Sequence, residues 1–244
     1  MTLQRLLPPG DDSPLDADAA YGDLRLGENA PVDRPYVVVN MVSTADGQAR
    51  IGVDTSELGN EDDMALFVKL REQVDCVMAG VRTVAIENYK GPGGKSETRA
   101  RREANGLAPR PLFATATRSG ILPVDTPLFQ DQDLTIVVFS NSEVLTSGAK
   151  ANVIQVPTED PAEILRVLRQ EYGVRSLLLE GGPHINTPVF AGEFVDELFL
   201  TIAPLLTGDA QFPIIAQALP KAQKLHIVSL LTSEDHLYLR YRVD

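Results

Sequence analysis

The chain reads as an α/β protein, with a mostly parallel mixed sheet flanked by helices and an antiparallel hairpin at the C-terminus. Three observations predict this class. Short β-branched or apolar runs alternate with helical patterns from Pro35 onward, the signature of strand-helix-strand units. Two of those runs end in glycine-bearing turns that lead directly into a helical segment. Residues 224–231 and 236–243 are apolar runs separated by the polar stretch 232–235, as in a hairpin.

Taken in order, residues 1–34 carry Pro8, Pro9 and Pro14, several aspartates and little periodicity. They read as an extended N-terminal arm with one short helix at residues 15–21, ahead of a single domain over 35–244. Residues 36–42 are apolar on both faces, as a central buried strand is. Residues 58–73, with apolar Met64, Phe67 and Val68 and Asn60 as a capping residue, read as a helix. Residues 74–79 form the next strand. The segment from 90 to 109 is glycine-rich, polar and basic, and reads as a mobile loop with a helical piece near 99–105. Strands follow at 111–115, 134–139 and 152–156, then a helix from 161 to 172 that starts on a proline and carries Ile164, Leu165 and Leu168. After the glycine pair come a strand at 195–202, a loop at 203–213 and the terminal hairpin.

The two glycine turns carry the functional signal. Ser176, Leu177, Leu178 and Leu179 run into Glu180, Gly181 and Gly182, after which a helix begins at Pro183. Paired glycines let backbone N–H groups approach a ligand, and the helix start adds a positive dipole end suited to a diphosphate. An ordinary strand-to-helix turn fits the same residues. The second turn places Gly80, Val81, Arg82 and Thr83 after the run Val77, Met78, Ala79. Arg82 offers a planar fork for phosphate and Thr83 a hydroxyl, or Arg82 is a solvated helix cation. Two such turns at strand ends suit a dinucleotide, because open α/β sheets collect ligands beyond the carboxyl ends of their strands. No GxGxxG follows a strand, so this is not a Rossmann fingerprint.

Composition narrows the classes. With 22 basic and 34 acidic residues the net charge is −12, against a broad nucleic-acid face. No apolar run is long enough to span a membrane and no signal-peptide core is present, so a cytoplasmic protein is expected. The one cysteine, Cys76, sits within an apolar strand and reads as an inert buried thiol. The three histidines, His184, His226 and His236, show no metal-binding spacing, so no protein-built metal site is expected.

The segments VNMVSTADGQARIG, VMAGVRTV and LEGGPHINTP, followed by FVDELFLTIAPLLTG, together resemble the reductase domain of the bifunctional riboflavin-biosynthesis deaminase-reductase. The resemblance covers roughly residues 34–243. It implies a dihydrofolate reductase-like fold and NADPH-dependent reduction of a pyrimidine ribosylamine phosphate of the 5-amino-6-(5-phosphoribosylamino)uracil type. The companion deaminase needs a zinc site with a PCxxC element, which a single cysteine cannot build, so the chain is read as reductase alone.

By that resemblance the coenzyme is held by Ser43, Gly80, Val81, Arg82, Thr83, Glu87, Gly181, Gly182, Pro183, His184, Ile185 and Asn186. The substrate falls to Asn40, Thr44, Arg71 and Glu180, with Arg71 on the phosphate and Asp46 and Glu180 as catalytic groups fixing the pyrimidine and sugar hydroxyls. Read from its own residues, Asp46 before Gly47 is equally a turn residue. The chain departs from the family after Thr83, where Ala85, Ile86, Glu87, Asn88, Tyr89, Lys90 and Gly91 lack the family's proline and second arginine. Glu87 keeps a carboxylate there. The missing cation falls to Lys90, Lys95 or an arginine from the stretch 99–102, where Arg99 to Arg102 also offer charge for a 2′-phosphate. Two other functions fit the same scaffold, a dihydrofolate or pterin-type reductase and an NADPH-binding protein that has lost catalysis. A homodimer through the apolar hairpin edge at 227–231 is expected, unless the chain screens that edge itself.

Overall fold

A computed structural model describes residues 3–8, 14–208 and 211–244. The expected arm at residues 1–2 and 9–13, and the part of the 203–213 loop at 209–210, lie outside the described residues. The core is a ten-stranded sheet in the order β1-β9-β10-β8-β2-β7-β3-β4-β5-β6. Its strands are β1 (Gln4–Leu7), β2 (Tyr36–Thr44), β3 (Cys76–Met78), β4 (Leu112–Ala116), β5 (Thr135–Phe139), β6 (Asn152–Val156), β7 (Ser176–Leu179), β8 (Glu197–Ala203), β9 (Leu225–Ser233) and β10 (His236–Val243). From β8 through β2, β7, β3, β4 and β5 to β6 every pairing is parallel; β10, β9 and β1 add antiparallel pairings.

The helices are α1 (Ala17–Tyr21), α2 (Glu61–Glu72), α3 (Val81–Ile86), α4 (Ser96–Ala104), α5 (Pro127–Gln130), α6 (Pro161–Gln170) and α7 (Pro183–Ala191), with a 3-10 turn at Leu26–Asn29. Two apolar clusters lie on the two faces of the sheet. One joins Leu66 and Leu70 of α2, Tyr21 of α1 and Phe129 of α5 to alternate strand residues such as Val38, Val77 and Leu178. The other joins Ile164, Leu165 and Leu168 of α6 and Val189 and Phe190 of α7 to Val37, Val39, Leu177 and Leu179. This alternation is the period of two that places successive side chains on opposite faces. Helix α2 begins as its sequence foretells, with the Asn60 side chain accepting from the Asp63 N–H at 2.9 Å. Its buried stripe is different from the expected one: Leu66 and Leu70 are inside, while Met64 and Val68 face solvent.

Three further expectations change. The N-terminal segment is not simply extended: β1 pairs with β9, α1 packs on α2, and Leu3, Tyr21 and Leu26 are core residues. The hairpin does not form the sheet edge, because β10 lies between β8 and β9 and β1 covers part of β9. Its turn residues Glu234 and Asp235 both have positive φ, the conformation of a tight two-residue hairpin. The basic segment after residue 90 is anchored by α4, whose Arg102 is buried and donates to the carbonyls of Arg71, Glu72 and Val74 at the C-terminal end of α2. Those carbonyls lack helical partners, so the guanidinium caps the helix from outside.

Candidate active site

Strands β3 and β7 are neighbours, so their C-terminal turns meet. The Gly80 N–H donates to the Gly181 carbonyl at 2.8 Å, joining the turns back to back. The fit leaves no room for side chains: a Cβ on Gly182 would lie 2.9 Å from Thr83 Oγ1, and one on Gly181, whose φ is +75°, 3.0 Å from Met41 Sδ. The Gly181–Gly182 peptide is cis. Gly80 caps α3 and Gly182 caps α7, with Pro183 in the first turn, so two helix starts face the same space.

That space is a cleft of about 700 Å³ running along the strand tips. At its β4 end stand Thr117, Arg118 and Ser119; at its middle stand the glycine turns; on the side that follows β2 stand Arg50, Thr55, Glu87 and Phe212. Of the residues assigned to the coenzyme from sequence, Gly80, Val81, Arg82, Thr83, Glu87, Gly182, Pro183, His184 and Ile185 line the cleft. Ser43 and Asn186 do not. Ser43 is buried, and Asn186 is a strut beneath the turn that donates to Met41 Sδ and the Ile214 carbonyl. Gly181 supports the turn through its carbonyl.

On the substrate side the geometry corrects several assignments. Arg71 donates from Nε and Nη2 to both oxygens of Glu180 at 2.5 and 2.6 Å, and its guanidinium lies over the rings of Phe67 and Tyr89. One edge of the fork meant for phosphate is therefore occupied, and Arg71 is not among the residues that line the cleft. Glu180 also accepts from the Tyr89 hydroxyl at 2.5 Å. Burial, and then the Glu180 charge, push the Tyr89 phenol well above its ordinary pKa, so it stays a donor. Tyr89 stands where the family's substrate stretch departs, and its role as a partner of Glu180 was not legible before folding.

Asp46, expected to fix substrate hydroxyls, is a tether between loops and does not line the cleft. It accepts from the Thr44 hydroxyl at 2.5 Å and from the Thr207 and Gly208 N–H groups at 3.1 and 2.7 Å. The Thr44 bond first, and the Gly208 bond next, lower its pKa to about 2, so it is ionised at any ordinary pH. Thr44 is buried beside it. Asn40 points elsewhere, into a void of about 10 Å³ with Tyr21, Asp63 and Thr201 that shares no lining residue with the cleft. Glu87 does face the cleft, accepts from the Thr55 hydroxyl at 3.2 Å, and is held above its ordinary pKa, chiefly by burial.

The proposed loop cations do not reach the cleft. Arg99 donates to the Gly93 carbonyl, Arg101 to Glu72, and Arg102 to the end of α2, while Lys90 and Lys95 are exposed outside the lining. The arginines that sequence reasoning missed are Arg50 and Arg118. Arg118 follows a strand tip just as Arg82 does, and that position was the available signal.

Residues 35–239 match the family model described as RibD C-terminal domain. The chain belongs to the RibD C-terminal domain family. Among relatives of this RibD C-terminal domain, 2,5-diamino-6-ribosylamino-4(3H)-pyrimidinone 5′-phosphate reductase of Archaeoglobus fulgidus is 26% identical over 190 residues, covering 75% of this chain and 86% of that protein. The protein of the same name from Methanothermobacter thermautotrophicus is 24% identical over 220 residues, covering 86% of this chain and 99% of its own. Among solved structures, a pyrimidine reductase-like protein from Corynebacterium diphtheriae superposes with a TM-score of 0.77 at 21% identity, over 94% of this chain and 99% of that one. RibD of Acinetobacter baumannii gives 0.72 at 17% identity, over 87% of this chain and 59% of that one. These likenesses show the same α/β architecture, parallel sheet and antiparallel strands included.

Proposed function

We propose that this RibD C-terminal domain is an NADPH-dependent reductase of a pyrimidine ribosylamine 5′-phosphate, acting in riboflavin biosynthesis. The observation that carries the reading is the joined pair of glycine turns at the β3 and β7 tips, opening on one long cleft, in a chain whose relatives are named as reductases of such a substrate. The fit to a dinucleotide rests on the turns themselves, where a Cβ on Gly182 would collide with Thr83 and the backbone is left bare for phosphate oxygens.

Residues Gly80 to Thr83 and Gly182 to Ile185 would hold the pyrophosphate between two helix starts. Arg82 is exposed and Arg118 is 92% exposed in its side chain; both line the cleft, and they offer the charge a 2′-phosphate needs. When bound, the reduced nicotinamide supplies the two electrons and one hydrogen that turn the open-chain imine carbon of the sugar into an amine carbon, the second hydrogen arriving as a proton. The chain's part is to orient the two reactants and exclude water. Glu180, held in place by Arg71 and Tyr89, forms part of the cleft wall for this purpose, and Glu87, whose pKa burial raises, presents a second carboxyl group to the same space.

The enzyme would act in solution. Among the described residues no helix is long and apolar enough to cross a membrane. The exposed Leu225, Ile227 and Val228 on β9, beyond the stretch that β1 covers, suit a second copy of the chain as a partner. The assignment is tested by following loss of reduced-nicotinamide absorbance with the pyrimidine ribosylamine phosphate and, separately, with dihydrofolate. Oxidation of NADPH with the pyrimidine alone is expected. Turnover of dihydrofolate only, or NADPH binding without turnover of either, would replace the assignment with one of its two rivals.

A further inference from the structure

The wall of the cleft that follows β2 is a clasp between two loops. Gln48 and Pro213 form an isolated bridge, the Ala49 N–H donates to the Phe212 carbonyl at 2.7 Å, and the Phe212 N–H donates to Gln48 Oε1 at 3.0 Å. Gln48 is itself buried, so the clasp fixes both loops. On it the Arg50 guanidinium lies over the Phe212 ring, its Cζ 3.6 Å from the centroid. Stacking of this kind holds the plane of the fork and leaves its N–H edge for a ligand.

That edge is poorly used. Arg50 Nη1 reaches the Val53 carbonyl at 3.4 Å, and the buried Nε has no hydrogen-bond partner. Among the described residues no carboxylate comes within ion-pair distance of Arg50. Glu87 is close enough to feel its charge but pairs with Thr55 instead. A cation fixed by an aromatic platform, lining a cleft and left without a counter-charge, is a site for an oxyanion.

Sheet order says which anion. The other cleft arginines, Arg82 and Arg118, follow β3 and β4, whereas Arg50 follows β2 on the far side of the glycine turns. Arg71, the expected phosphate ligand, gives Nε and Nη2 to Glu180 and does not line the cleft. The geometry points to Arg50, on its Phe212 platform, as the anchor for the phosphomonoester of the substrate. The inference rests on the pyrimidine ribosylamine phosphate reading above and supplies the cation that the altered loop 85–91 lacks.

The test compares wild type with Arg50→Ala and Arg50→Lys in the full chain saturated with NADPH, titrated calorimetrically with ribose 5-phosphate. The affinity for ribose 5-phosphate should fall about 10- to 100-fold in the alanine variant, the usual worth of one charge-assisted contact, and less in the lysine variant. NADPH affinity should not move. With the ribosylamine phosphate, KM should rise by a similar factor while kcat stays within a few-fold. Ribose 5-phosphate binding that is absent from wild type or unchanged by the substitution overturns the inference, as does an equal loss of NADPH affinity, which would put Arg50 on the coenzyme. Because sugar phosphate binding is read without turnover, a protein that binds it through Arg50 yet reduces no pyrimidine would retire the reductase assignment and keep the anion site.

Discussion

Single residues here take their roles from partners far away in sequence. Glu180 is the clearest case: its position before the glycines is visible in the chain, but the pairing with Arg71 and Tyr89 spans 109 and 91 residues. Buried charge is retained only when it is paired and hydrogen-bonded, so the three groups must be read as one. Asp46 carries the opposite lesson, because the turn reading open to the bare dipeptide is the one its geometry supports. Its bonds favour the ionised form in the folded chain. The tether between the 44–47 turn and residues 207–208 is therefore fully present above the ordinary carboxylate value of 3.8 and is lost as pH falls through about 2. Followed by NMR, the Gly208 amide should titrate with a midpoint near 2, and Asp46→Asn should abolish that titration; a midpoint near 4, the unperturbed aspartate value, would show that the tether does not form.

At the scale of elements, most strands and helices were legible because their periodicity and caps are local. Asn60 and Pro161 mark helix starts, and the strand runs are apolar on both faces because helices cover both sides of a parallel sheet. What was not legible is the face each helix turns inward. Helix α2 buries Leu66 and Leu70 together with the ion-paired Lys69 and Glu72, so its pattern of apolar residues alone misplaces the stripe. The helical piece near 99–105 was legible, but not its inward face: Arg101 and Arg102 of α4, read as part of a ligand-binding cluster, clamp α2 instead. The glycine turns, by contrast, are read correctly as a pair. If the turns hold the coenzyme as proposed, Gly182→Ala should weaken NADPH binding by about tenfold or more, since its Cβ would meet Thr83 Oγ1 at 2.9 Å. Adding Thr83→Ala should recover part of the loss by clearing the collision; fluorescence titration of both variants checks the pair.

For the whole molecule, sheet order decides the site. Strands β2, β7, β3 and β4 lie side by side, so segments scattered from Arg50 to Phe212 converge on one cleft. The edge that was expected to pair two copies is split by the same topology: β1 pairs with Leu230, Leu231 and Thr232, leaving Leu225, Ile227 and Val228 exposed. Ile227, at 50% exposure, is the most open of these. Ile227→Asp should convert the dimer proposed for this edge to a monomer in sedimentation experiments, with any fall in melting temperature limited to what dimerisation itself contributes, because the side chain adds little to the chain's own core.

The sequence by itself determined the α/β class, the alternation of strands and helices, and the two glycine turns, because each follows from backbone chemistry and periodicity over a few neighbouring residues. Tertiary structure alone decided that Arg71 belongs to Glu180, that Asp46 ties a loop, and that Arg50 and Arg118 face the cleft. Those are pairings of charges and ring faces across the sheet, and their geometry exists only once the strand order has brought distant segments within hydrogen-bonding reach.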